Sequence, residues 1–287
     1  MIDLKFNELQ VQHGKLTNRL SELADKRYIF KNCKPTIWEA FQISGWYEFL
    51  VNNRIEKAKQ CFYDAAKTDI YYYSLFTENV SDLFSFGRTN VLETALTDDK
   101  SIMNEYSKID YQLKQNGNKL VWYHDMVQLG ENHIYCDMIN KAMNCNMRGL
   151  SDLIEIARNK IMLNNKNDWM RPDLAFFQGL VDRDKDTIYK VIHTLCTSEH
   201  KERNKHSWIY TNLVSQPAQG YAKIAWLNEL QIEIDNQLVH NELLPIRPNH
   251  VYFNNAKELI SKMTLQSNVK DFNGQKLSHE EYQQLYN

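Results

Sequence analysis

Apolar residues along this chain recur mostly at helical spacing. Leu9, Leu16, Leu20 and Leu23 fall on one face of a first helix. Pro35 suits the first turn of a second, which carries Ile37, Trp38, Phe41, Trp46 and Phe49 and fades at Asn52-Asn53. Ile55, Ala58, Phe62, Ala65 and Ala66 form the stripe of a third helix over about 54–68, with small residues that let a neighbour approach closely. Leu75, Phe76, Leu83 and Phe84 repeat the pattern over 71–86, with Gly87 as a C-cap. Further helices are predicted near 88–97, 100–115, 119–129, 133–146, 150–163 and 172–181. In the next, capped by Asp184 or Asp186, Ile188, Val191, Ile192 and Leu195 form the buried stripe. Pro217 opens another, with Ala218, Ala222, Ala225 and Trp226 inward.

The period then changes. Gln231–Asp235 alternates like a short strand. The stretch 241–250, with Pro245 and Pro248, reads as extended. Short helices near 255–265 and 278–287 complete the prediction. The fold class that follows is all-α: antiparallel helical hairpins, partly solenoid-like, with a short extended C-terminal segment. No Gly- or Ser-rich linker divides the chain, so it reads as one helical domain. Its loosest points, 116–118 and 164–167, allow two lobes of about 1–115 and 119–287. Ala58, Phe62 and Ala65 have the spacing of a tetratricopeptide second helix, but Trp46 stands where that repeat wants Gly and no 34-residue echo follows.

Composition agrees with helices. The 287 residues contain only 9 Gly and 5 Pro, against roughly 20 and 14 at average usage. Charge is balanced, with 34 basic and 36 acidic residues for a net -2, so the basic footprint of a nucleic-acid binder is absent. Five scattered cysteines with no CxxC point to reduced thiols. No apolar run of membrane-spanning length and no signal-peptide core is visible, so the expectation is a cytoplasmic protein with no membrane partner.

The search for chemistry is mostly negative. Phosphate-binding glycine loops, a GxSxG elbow and HExxH are missing. Asp182-Arg-Asp184-Lys-Asp186 has the first oxygen positions of a calcium loop, but Thr187 stands where Gly is needed, so a helix-capping turn is the simpler reading. His193, Cys196 and His200 share one helical face at i, i+3 and i+7, with His206 following. That could hold zinc, yet Cys196 also fits the apolar stripe and His200 lies in a polar helix end. Arg203/His206 and Arg247/His250 are spaced too closely for an Arg-plus-acid RNase pair. No catalytic residue, metal or cofactor is therefore assigned. Candidate partner-binding residues are Tyr71 and Tyr72, because three consecutive tyrosines cannot all face one core, and the acidic residues Asp98, Asp99, Asp182 and Asp184.

Residues 170–250 carry a more specific order. A helix with Asp173-Leu-Ala-Phe-Phe-Gln-Gly-Leu-Val-Asp ends in a polar turn, and a second helix follows. Then come the Ala-rich Ala222-Lys-Ile-Ala-Trp226 helix and the closing Leu238-Val239-His240-Asn-Glu-Leu-Leu244-Pro245. This order resembles the immunity protein 49 family of bacterial polymorphic-toxin systems, although His240 stands where the pattern has Pro. The resemblance implies a helical, non-enzymatic protein whose partner is a cognate secreted toxin, commonly a nuclease, bound stoichiometrically. Acidic side chains would then steer a basic toxin to its seat. A helical-repeat adaptor is the alternative reading, and self-association into a homodimer is left open.

Overall fold

The computed structural model describes residues 2–78, 80–85, 90–114, 119–131, 133–163, 165–198, 203 and 207–264. The protein is all-α. Among the described residues it has thirteen α-helices and one two-stranded hairpin, divided into two compact units. One comprises 1–80 with 249–287, the other 81–248. The division therefore differs from lobes split near 116–118. The chain on either side of that point pairs within the second unit as β1 (Gln112–Lys114) and β2 (Leu120–Trp122), antiparallel with Leu113 opposite Val121.

The first unit contains α1 (Ile2–Asp25), α2 (Phe30–Leu50), α3 (Ile55–Leu75) and α13 (Asn255–Ser261). Helices α2 and α3 form a close hairpin. A Cβ on Gly45 would lie 2.6 Å from the Phe62 ring, so the absence of a side chain sets the approach. Trp46 packs edge-on to Phe62 at 5.1 Å, and Phe30 meets Tyr72 at the other end. Pro35 lies inside α2 rather than in its first turn. The helix begins earlier because Phe30 N–H donates to Thr264 O and Thr264 N–H to Tyr28 O, a bridge that anchors its start. The returning segment 249–264 covers the outer face of α3. Gln60 clasps the Phe253 backbone in both directions, at 2.7 and 3.0 Å, and Asp64 accepts from Asn255 Nδ2 and Ala256 N–H. The helix predicted over 71–86 is instead the end of α3, which stops at Leu75. Gly87 and the helix predicted near 278–287 lie outside the described residues.

The second unit holds α4 (Val91–Ala95), α5 (Lys100–Tyr106), the hairpin, α6 (Tyr123–Leu129), α7 (Ile134–Met143), α8 (Met147–Lys160), α9 (Arg171–Asp182), α10 (Lys185–Leu195), α11 (Trp208–Asn212) and α12 (Gln216–Leu227). Nine of the ten residues of α7 are buried, and it meets α4, α5, α6, α8, α9 and α12. Helix α12 crosses α4 closely: a Cβ on Gly220 would fall 2.7 Å from the Leu92 side chain. The predicted strand at 231–235 does not join a sheet. Its alternation is nevertheless expressed as burial, with Ile232 and Ile234 inside and Gln231, Glu233 and Asp235 exposed. Ile234 exchanges two hydrogen bonds with the Asn241 side chain in place of a neighbouring strand.

This C-terminal stretch of the unit is held by α12. Lys223, fully buried, pairs with Asp98 and donates to the carbonyls of Leu243, Leu244 and Pro245 at 2.9, 3.0 and 3.2 Å. His240 donates its backbone N–H to Gln219 Oε1 at 2.6 Å, and its carbonyl accepts from Gln219 Nε2. A proline at 240 could not donate that bond. The backbone N–H at position 240 is thus used structurally.

Candidate partner-binding surface

Helices α8, α9 and α10 carry a surface groove in the second unit. Helix α9 ends in two residues. Arg183 takes left-handed backbone (φ 56°), and Asp184 N–H reaches back to Gly179 O at 2.8 Å. Asp184 then caps α10, accepting from Asp186 N–H, Thr187 N–H and Thr187 Oγ1. This fixes α9 and α10 as a tight hairpin, and Gly179 lets Ile188 pack against it. The Thr187 hydroxyl is the largest of the influences holding the Asp184 carboxyl below the usual range. The calcium-loop-like triplet is therefore a capping turn.

Along α9 runs an open groove of about 430 Å³. Its basic end is formed by Arg158 and Arg171, its acidic end by Asp182 and Asp184. Leu174, Ala175 and Gly179 line it between those ends. Arg171 makes an exposed ion pair with Asp168, and Asp182 accepts from Gln178 Nε2 at 2.7 Å. Just before α9, Trp169 is 45% exposed yet held in place, because Arg203 lies over its ring (5.2 Å) and donates to its carbonyl. Arg203 is itself anchored on buried Asp173, which also accepts the Tyr221 hydroxyl at 2.7 Å. Leu163, at 77% exposure, stands beside the groove-lining Met162 in the chain.

Of the six sequence-derived candidates, two come together here: Asp182 and Asp184. The others do not reach this surface. Tyr71, Tyr72 and Tyr73 are all buried, at 7%, 5% and 2% exposure. The expectation that one points outward is corrected, because 249–264 supplies a second buried face for α3. The Tyr71 hydroxyl accepts from Asn254, while Tyr72 packs on Phe30 and Phe76. Asp98 is buried against Lys223 and accepts Arg247 N–H at 3.0 Å. Asp99 caps α5 through Ser101 and Ile102 N–H. The groove rim mixes both charges, so it is not the acidic patch the sequence suggested.

In the metal candidate, His193 lies tilted against the Tyr189 ring at 4.5 Å and Cys196 is the C-cap of α10. Burial pushes the Cys196 thiol up to about 11, which disfavours the thiolate a metal needs. His200 and His206 lie outside the described residues. Among the described residues no three His, Cys, Asp or Glu side chains are grouped to hold a metal ion, and no helix is long and apolar enough to cross a membrane.

Sequence reasoning missed Arg158, Arg171 and Trp169, each a single residue without a motif. It also missed a part-buried polar network in which Asp82 meets His133 Nε2 at 2.8 Å and accepts the Tyr111 hydroxyl at 2.7 Å. These residues are separated by up to 51 positions, so no local spacing signals them.

No family model matches this chain, and neither do any curated protein or solved structure.

Proposed function

We propose that this chain is an immunity protein that neutralises a cognate secreted bacterial toxin by direct, stoichiometric binding. The sequence order of residues 170–250 supports the reading. The observation that carries it is the surface this segment helps to build: a charged groove with an exposed aromatic side chain beside it in sequence, mounted on a helical hairpin. Trp169 is fixed by Arg203 before any partner arrives. Aromatic and arginine side chains held in place lose little entropy on association, which is how binding hot spots are built. Arg158, Arg171 and Asp182 around an apolar floor give the mixed polar rim of a protein interface. The toxin would be a nuclease or another cytotoxic enzyme whose active or assembly surface the complex covers. Its compartment of action is the cytoplasm.

The test is co-expression with the toxin encoded beside this chain's reading frame. Growth is restored when both are present, and the two elute together at equal stoichiometry. Continued toxicity, or separate elution, contradicts the reading. The same groove also favours a second reading, a peptide-binding adaptor. That role differs in partner: short peptides from several proteins at micromolar affinity, rather than one toxin held tightly.

A further inference from the structure

We infer that the groove along α9 seats one α-helix of the bound toxin, with an acidic side chain over Arg158 and Arg171 and a basic side chain over Asp182. This deepens the immunity reading and rests on it.

The argument starts from the lining. Arg171, Ala175, Gln178, Gly179 and Asp182 follow one another at i, i+4, i+7, i+8 and i+11, so they form a single stripe of α9. Residues of the α8 end (Arg158, Met162) and the α10 start (Asp184, Thr187) flank that stripe. A groove floored by one face of a helix accepts another helix at the ordinary 8–10 Å interaxial distance. Ala175, a small side chain near the middle of the stripe, keeps the floor low there.

The charge pattern selects the occupant. Arg171 and Asp182 are eleven residues apart, about 16 Å along the helix at 1.5 Å per residue. An occupant helix of three turns spans the same length and presents anchors at i, i+3/i+4 and i+7. At the basic end, the competing Asp168 pair is exposed on both sides. Exposed pairs of this kind are weak and screened by salt, so Arg171 can exchange partners. At the acidic end, Asp184 is engaged in capping α10, which leaves Asp182 as the carboxylate that meets a base. The neighbouring cations are turned elsewhere: Arg183 donates to Asn228 O and Lys185 to Gln231 O. The pattern rejects a uniformly basic or uniformly acidic segment, because each places a like charge over one end.

The experiment uses the full chain and, as probe, the purified toxin encoded beside its reading frame. Titration calorimetry compares the parent, Arg158→Glu/Arg171→Glu, Asp182→Lys and, as a control on the first unit, the exposed Lys57→Glu. All the substituted groups are at the surface, so unchanged thermal unfolding checks that each variant is folded. The double arginine reversal weakens binding at least tenfold and Asp182→Lys about threefold or more, with Lys57→Glu unchanged. A toxin that binds all four proteins equally overturns the groove assignment and leaves the immunity reading intact. A toxin that binds none of them, the parent included, overturns both.

Discussion

Each unit of this protein contains a buried lysine paired with a buried aspartate, and the two pairs are built differently. In the first unit, Lys34 pairs with Asp69 between α2 and α3, and its ammonium lies over the rings of Tyr72 (5.6 Å) and Tyr73 (5.3 Å). In the second, Lys223 pairs with Asp98 and is surrounded by three backbone carbonyls of the 243–245 segment. Aromatic faces solvate a cation without depending on it, because the rings remain satisfied as apolar groups once it is removed. Carbonyls depend on their donor, since a buried acceptor left unmade costs free energy. The first pair therefore fastens two helices that already pack. The second organises a stretch with no regular structure of its own.

The comparison breaks if the two pairs respond alike. Lys223→Met is expected to cost about 3–5 kcal/mol in denaturant unfolding, the range for orphaning one buried charge. The double change Lys223→Met/Asp98→Leu should recover little, because the carbonyls and Arg247 N–H stay without partners. Lys34→Met/Asp69→Leu should lie within about 1 kcal/mol of the parent or exceed it, since apolar replacement of a buried pair is often neutral or stabilising. Equal losses in the two double variants would refute the distinction.

A smaller effect, confined to the first unit, comes from Asp64. Burial raises this carboxyl to about 6, although it accepts bonds from Gln60, Asn255 and Ala256. Unfolded, it titrates near 3.9. Between those values the folded form binds the proton more tightly, so the protonated form's stabilisation is present below about pH 4 and is lost as pH rises towards 6. The change is on the order of 2–3 kcal/mol. Asp64→Asn should remove this component: the stability difference from the parent varies across pH 4–6 and is constant above 7. A difference independent of pH would show that Asp64 does not titrate there.

The smallest effect contrasts the two glycine crossings. Gly45→Ala drives a methyl into an enclosed Phe62 ring, and is expected to cost about 1–3 kcal/mol net of the helix propensity gained. Gly220→Ala meets Leu92 at its Cβ, an atom no rotamer change can move, so its loss should be at least as large. Thermal unfolding of both variants ranks them.

Local pattern accounts for much of this architecture. The stripe Ile188, Val191, Ile192 and Leu195 is buried as its spacing predicts, and Asp184 caps its helix. What spacing could not reveal depends on distant partners. Tyr71 meets a partner 183 residues away. Asp98 is buried by Lys223 and by Arg247, the latter 149 positions on. Residues 112–114 and 120–122 fall within the helices predicted near 100–115 and 119–129, because Leu113, Leu120 and Val121 suit either period, and only their pairing makes them strands. At the candidate surface the capping acids were legible, because capping is local. The arginines facing them across the groove were not, since α8 and α9 must pack before Arg158 and Arg171 become neighbours of one trough.

The proposed function also divides the units, placing the toxin on the second. Hydrogen exchange of the chain, alone and saturated with the toxin encoded beside it, tests this most directly. The account predicts added protection at 158–187, through the end of α8, all of α9 and the start of α10, with the amides of α2 and α3 unchanged. Protection confined to α2 and α3, or none anywhere with toxin in excess, would contradict it.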